Sequence, residues 1–415
     1  MDLFKKIERN FGPLGMYQQQ AEGYFIFPHL KGELGNRMEF NGEEMVIWSI
    51  NNYLGLGNLP EVREADTKAS ANWGQAYPMG SRMMSGETEL HNKLEAELSE
   101  FVGKESTFVL NYGYQGIMST IDSLLGRHDV VVYDSECHAC IMDALRMHNG
   151  KSLAYKHNDM EDFERQLGRA QKFLSKSDDA GLLVISEGVF GMKGDQGKLK
   201  EIAALKEEYG FRFLVDDAHG FGTLGETGAG AGEEQDVMDE IDVYFATFAK
   251  SMASIGAFIA GDKMIIDYLK YNMRSQMFAK SLPMAFVEGN LKRLELLKKR
   301  DDLREKLWKN VKNLQNGLRE AGFEIGVTNS CVTPVFLSGS VEEAMALVKD
   351  MRDNHKVFCS IVIYPVIPKG EIILRLIPTA DHTLEDIELT IKAFSDVAEK
   401  LNRGVYKELA EEHKS

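Results

Sequence analysis

No apolar run in this chain is long enough to cross a bilayer, and the best candidate, FATFAKSMASIGAFIAG, is interrupted by Lys250. The opening MDLFKKIERNFGPLG lacks the apolar core of a signal peptide. Cations are in deficit: 48 Lys and Arg against 64 Asp and Glu leave a net charge of −16. That balance argues against nucleic acid as a partner, and against an anionic membrane surface as the main docking site. Cysteines number four, at 137, 140, 331 and 359. Cys137 and Cys140 form a CHAC run, but a zinc site needs about four ligands, and neither a second CxxC nor an HxxxH completes it. Reduced core thiols, no metal and a cytoplasmic location are therefore expected. Internal repeats and low-complexity linkers are also missing.

What remains is a chain of 415 residues, enough for more than one lobe, with 44% hydrophobic and 27% charged residues as in ordinary globular proteins. Residues 1–50 read as an N-terminal arm: a short polar helix, then glycine-broken strands such as YFIFP and EEMVIWSI. From about residue 88, helical spacing alternates with short apolar runs: STFVLNYG, DVVVYDS, LLVISEG, RFLVDDAHG, VYFATFAK and GAFIAG. Apolar strands of this length between helices predict an α/β domain with a mostly parallel sheet covered on both faces, over 51–285. Beyond it, 286–403 reads as a smaller α+β domain and 404–415 as a solvated tail.

Ligands on such sheets bind at the carboxyl ends of the strands. Three of those ends carry chemistry. LLVISEG closes on an acid, VDDAHG places two acids and a histidine where an apolar strand stops, and TFAK places a threonine and a lysine. A lone lysine there is usually a solvated edge charge. Together these residue types suit pyridoxal phosphate (PLP), which needs a lysine amine for its aldehyde and a carboxylate to keep its pyridine nitrogen protonated.

The segments NNYLGL (51–56), GSRMMSGETELHNKLE (80–95), NYGYQG (111–116), DSECHACIMDA (134–144), SEGVFGMKGD (186–195), VDDAHGFGTLGETGAG (215–230) and TFAKSMASIGAFIAG (247–261) together resemble the α-oxoamine synthases. The resemblance runs in order from about residue 45 to 385. It implies a fold-type I PLP-dependent transferase with a mostly parallel seven-stranded sheet, and a homodimer with active sites at the subunit interface. It also implies roles. Lys250 matches the Schiff-base lysine, Asp216 the partner of the pyridinium nitrogen, His219 the histidine on the phenolate oxygen and His138 the ring-stacking histidine. Gly113 and Tyr114 fall where helix N-terminal amides hold the phosphate, a sound place for an anion. Thr247 matches a phosphate-binding hydroxyl. Arg375 matches the arginine that takes the amino acid's carboxylate, which a guanidinium grips through both oxygens. Asn51 is expected near the same carboxylate.

Two positions depart from the family pattern. Gly191 stands where relatives carry a serine, so one hydroxyl near the phenolate oxygen is missing. Ala279 and Lys280 replace two hydroxyl residues offered to the phosphate from the neighbouring subunit. Lys280 is expected to supply a cation across the dimer interface, to the phosphate or to an anionic substrate. The resemblance implies decarboxylative condensation of a small amino acid with a long-chain acyl thioester, on CoA or acyl carrier protein. KSMASIGAFIAG and YPVIP resemble the serine palmitoyltransferase branch, which includes the cysteate acyltransferases that make the sulfonolipid base capnine. Lys280 and Arg82 suit a sulfonate, although related serine-using enzymes also carry an arginine near position 82, so Arg82 discriminates little; cysteate is placed narrowly ahead of serine. Glycine or alanine, as in 8-amino-7-oxononanoate synthase or 2-amino-3-ketobutyrate CoA ligase, rank below. A PLP aminotransferase or lyase, and a non-enzymatic scaffold, are the readings from other classes.

Overall fold

The computed structural model describes residues 2–8, 10–15 and 17–412. The chain divides into two compact units: Asn51–Gly191 with Asp195–Glu305, and Met1–Ile50 with Met192–Gly194 and Lys306–Ser415.

The larger unit is built on seven strands: β1 (Ser106–Leu110), β2 (Val130–Asp134), β3 (Lys151–Tyr155), β4 (Leu182–Glu187), β5 (Arg212–Asp216), β6 (Val243–Thr247) and β7 (Ala257–Gly261). Their order is β1-β7-β6-β5-β4-β2-β3. Only β7 runs antiparallel to its neighbours, so the other six share one direction, as the apolar runs predict. Strands β4, β6 and β7 are buried at every residue, because helices cover both faces. Edge strand β3 instead alternates between buried and exposed positions.

Three helices matter most for the site. Helix α1 (Glu89–Val102) starts at Thr88, whose hydroxyl accepts the His91 N–H. Helix α2 (Gly113–Leu124) follows β1, and α3 (Ala139–Met147) follows β2. Both start at the edge where the parallel strands end. Ile117, Ile121, Ile141 and Ala144 join Leu110, Ile185 and Phe245 in one core that fixes α2 and α3 against the sheet.

The unit boundary falls at 305/306, not the expected 285/286. Helix Met284–Lys299 buries Val287, Leu294 and Leu297 and ties Arg293 to Asp66 at 2.6 Å, all within the larger unit. Its successor, Asp301–Glu320, contains the boundary.

In the smaller unit, residues 1–50 are not a separate arm. Strands Leu30–Lys31, Arg37–Phe40 and Glu43–Ile47 form a sheet that Val357–Phe358 extends. YFIFP is a turn rather than a strand, with Phe27 at φ 55°. A second sheet joins Thr333–Leu337, Ile372–Leu376 and Ser360–Val362. Trp48 is central: it stacks on His382 at 3.9 Å and donates to the Thr390 hydroxyl at 3.0 Å. Residues Val405–Glu412 of the expected tail form a helix that buries Tyr406 and Ala410, one helical turn apart, while 413–415 lie outside the described residues. Among the described residues, no helix is long and apolar enough to cross a membrane.

Candidate active site

Four adjacent parallel strands end on buried polar side chains at one edge of the sheet: Asp134 on β2, Glu187 on β4, Asp216 on β5 and Thr247 on β6. A strand buried on both faces reads as an uninterrupted apolar run, so the first polar residue marks where the backbone leaves the core.

Lys250 follows β6 by one tight turn. The Thr247 hydroxyl braces that turn, donating to the Gly256 carbonyl (3.1 Å) and accepting the Ala249 N–H (3.2 Å). Burial drives the Asp216 carboxyl up to about 6, against the opposing pull of the Lys250 charge and the Ala218 N–H. Glu187 is paired in register with Asp216 across β4 and β5. Burial and the Asp216 charge push Glu187 well above the usual carboxylate range, while the His138 N–H and the Lys250 charge pull it down. Two neighbouring acids in one low-dielectric site separate in this way, one holding its proton and the other its charge.

His138 caps α3. Its backbone N–H donates to Glu187 Oε1, while its Nδ1 accepts the Cys140 N–H (3.3 Å) and lies 2.9 Å from Cys140 Sγ. With Nδ1 accepting, the neutral ring carries its proton on Nε2. The Tyr114 ring meets His138 edge to face at 6.1 Å, and its hydroxyl donates to Asp143. Cys137 and Cys140 are free, buried thiols, and burial pushes both upward. The second acid of VDDAHG serves the scaffold. Asp217 accepts the Ala231 N–H (2.8 Å) and the Tyr244 hydroxyl (2.9 Å), and burial raises it to about 7.

His219 is buried and hydrogen-bonded through Nδ1 to the Tyr53 hydroxyl at 2.7 Å. Gly191 packs against the far side of its imidazole, and a methyl group there would overlap His219 Nε2. The missing side chain is therefore a steric requirement as well as a missing hydroxyl.

At the start of α2, Tyr112 is extended and puts no side chain on the helix's first N–H groups. A Cβ on Gly113 would come within 3.0 Å of the Thr247 hydroxyl, so these two phosphate candidates adjoin. The Lys280 carbonyl accepts from the Asn111 side chain just before α2, and the Lys280 side chain is exposed. An amine, a buried acid, an imidazole at a helix cap and an uncapped helix N-terminus suit a phosphorylated pyridine aldehyde.

The expected substrate residues are Arg82, Arg375 and Asn51. Arg82 is buried, bonded to Glu87 (2.6 Å) and Glu95 (2.9 Å) and laid over the Phe108 ring at 4.9 Å; its cation is committed to the scaffold. Arg375 lies in strand Ile372–Leu376 of the smaller unit, between Pro334 and Ser360. Asn51 opens the larger unit and is half-buried. No role for Tyr53 or Glu187 follows from sequence, although they lie in NNYLGL and SEGVFGMKGD. The signal for Glu187 was its place as the last residue of an apolar strand.

A family model described as aminotransferase class I and II matches residues 43–394. The chain is 61% identical to a cysteate-C-fatty acyltransferase of Capnocytophaga ochracea, over 98% of this chain and 96% of that protein. It is 35% identical to a serine palmitoyltransferase of Sphingobacterium spiritivorum, over 89% of this chain and 90% of that one. Among solved structures, it superimposes on a serine palmitoyltransferase from S. paucimobilis with PLP and myriocin bound. The TM-score is 0.89 at 27% identity, covering 97% of this chain and all of that one.

Proposed function

The chain belongs to the aminotransferase class I and II family, and on that footing we propose that it is a PLP-dependent C-acyltransferase of the α-oxoamine synthase group. It joins a small L-amino acid to a long-chain acyl thioester, releasing CO2 and the thiol and leaving a 3-keto lipid base. PLP, when bound, supplies an electron sink for negative charge at the amino acid's Cα.

The chain's own residues do the rest. Lys250 would provide the amine that holds the cofactor, and the same amine, when free, would be the base for the substrate's Cα proton. Asp216 would pair with the pyridine nitrogen, with the proton of the acidic pair favoured on Glu187. His138 would lie against the ring face, and His219, fixed by Tyr53, would serve the phenolate oxygen. The N–H groups of Gly113 and Tyr114 would hold the phosphate, with Thr247 adjoining them. Arg375 and Asn51 take the substrate carboxylate, which leaves as CO2 after the new C–C bond forms at the thioester carbonyl. The reading extends to a cytoplasmic homodimer with interfacial sites.

Cysteate ranks ahead of serine as the amino acid. The observation that carries this is the 61% identity to the cysteate-C-fatty acyltransferase over nearly the whole chain, against 35% to the serine palmitoyltransferase. The exposed Lys280 ammonium, anchored beside α2, provides a cation for a sulfonate. The test is a competition among L-cysteate, L-serine, glycine and L-alanine, with palmitoyl-CoA and palmitoyl acyl carrier protein as donors. A sulfonated 3-keto base with the highest kcat/KM supports the assignment. Preference for serine would transfer the enzyme to the sphingolipid branch, and product formation without CO2 release would remove it from the group.

A further inference from the structure

A half-buried histidine outside the ring-binding set joins the two loops that present His138 and His219. His157 lies just beyond β3, between two carboxylates. Its Nδ1 is 3.0 Å from Asp134 Oδ1 and its Nε2 is 2.7 Å from Asp195 Oδ2. Ionised carboxylates only accept, so both ring nitrogens must donate, which a neutral imidazole cannot do. A third acid, Glu136, stands 3.9 Å from Nε2, and the ring edge packs on Phe190 at 4.4 Å. Burial opposes the charge, yet the two carboxylates hold His157 up at about 10.

Each carboxylate is the root of a site loop. Asp134 also accepts the N–H groups of Glu136 and Asn158 (2.9 Å each), and its carbonyl accepts the Cys137 N–H (3.2 Å), shaping the residues that lead to His138. Asp195 also receives the Asn158 side-chain amide (2.9 Å), and its carbonyl accepts the Phe190 N–H (2.9 Å), closing the turn that sets Gly191 against His219. The path from one ring-binding histidine to the other therefore runs His138, Asp134, His157, Asp195, Phe190, Gly191, His219.

We infer that His157 is a positioning residue: as an imidazolium shared by Asp134 and Asp195, it fixes the loops of His138 and His219 relative to each other and so sets the pose of the cofactor ring. The inference rests on the reading of PLP at Lys250. Misplacement of groups on a reacting centre by a fraction of an ångström lowers rate more than binding, so the effect falls on kcat and on ring geometry.

The experiment uses the full-length holoenzyme and two variants. His157→Gln removes the charge and one donor. Asp195→Asn removes the negative charge that holds His157 to the Gly191 turn and keeps the pair with Asp134, so it stays informative if His157→Gln does not fold. Visible circular dichroism of the bound chromophore, the PLP dissociation constant of the apoprotein, kcat and the KM for the acyl thioester are measured. Asp195→Asn is expected to lower kcat roughly tenfold or more with KM unchanged, and to weaken the visible dichroic band. His157→Gln is expected to do both and to loosen PLP by a similar factor. Rescue of the band by the double variant, in which two neutral amides meet, would support the clamp. Folded variants with the parent's band, kcat and PLP affinity would overturn it, as would a loss confined to thermal stability. A parent enzyme without a yellow chromophore would instead sink the underlying reading of the site.

Discussion

Glu187 and Asp216 stand side by side at the ends of adjacent parallel strands, and only Glu187 also holds the backbone N–H of His138. Because burial and the Asp216 charge push Glu187 towards its neutral form, a neutral amide should replace it. Glu187→Gln is expected to leave the PLP dissociation constant within about threefold of the parent. Glu187→Ala removes the acceptor of the His138 N–H, a bond worth about 0.5–1.5 kcal/mol, and is expected to loosen PLP roughly fivefold to tenfold. Fluorescence titration of the two apoproteins separates these outcomes.

Asp216 is raised from the ordinary carboxylate range to about 6, mainly by burial. For a group raised in the folded state, the stabilising contribution is complete at low pH and is lost as pH climbs through the folded value. Asp216→Asn avoids that loss. The apoprotein of the variant should match the parent near pH 4 and exceed it at pH 8, by up to about 3 kcal/mol at 1.36 kcal/mol per unit. Its affinity for PLP should fall between roughly tenfold and a hundredfold, the worth of a charge-assisted hydrogen bond. Denaturant melts of the apoproteins at both pH values, with PLP titrations, check both signs.

Gly191 leaves room for the His219 imidazole on the side opposite Tyr53. Restoring a serine there should therefore harm the enzyme despite its hydroxyl, because the Cβ displaces the ring. Gly191→Ser is expected to lower kcat at least about tenfold, and Tyr53→Phe by a smaller factor, near the value of one neutral hydrogen bond of about 1 kcal/mol. Steady-state kinetics together with the chromophore spectrum test the order of the two effects.

Arg82 belongs to a buried cluster with Glu87 and Glu95. Arg82→Ala leaves Glu95 buried without its cation, a loss on the order of 3–5 kcal/mol. The variant is expected to melt far below the parent, while the folded fraction keeps the parent's KM for the amino acid. A rise in that KM with unchanged stability would return Arg82 to the substrate.

The sheet and the strand-end residues were legible because buried parallel strands leave a plain signature: apolar from end to end, then polar. LLVISEG and RFLVDDAHG behave in this way, and their last residues reach the site. Long-range partnership was not legible. Tyr53 and His219 are 166 positions apart, and nothing in either segment names the other. His157 has the same history, since its two acids come from the end of β2 and from a separate loop. The partners of Arg82 were not legible either, because a charge read alone does not show them; they lie in the following turn and on α1. YFIFP has the composition of a strand, but a positive φ at Phe27 and the turn before it prevent extension. The terminal helix looked solvated because only two of its described residues, Tyr406 and Ala410, spaced by one turn, are buried.

Reductive trapping of the purified enzyme with borohydride, followed by peptide mapping, tests the central claim most directly. A single phosphopyridoxyl group per chain, on the peptide containing Lys250 and absent after Lys250→Ala, is the predicted result. Label on another lysine, or catalytic turnover by the Lys250→Ala protein, would contradict it.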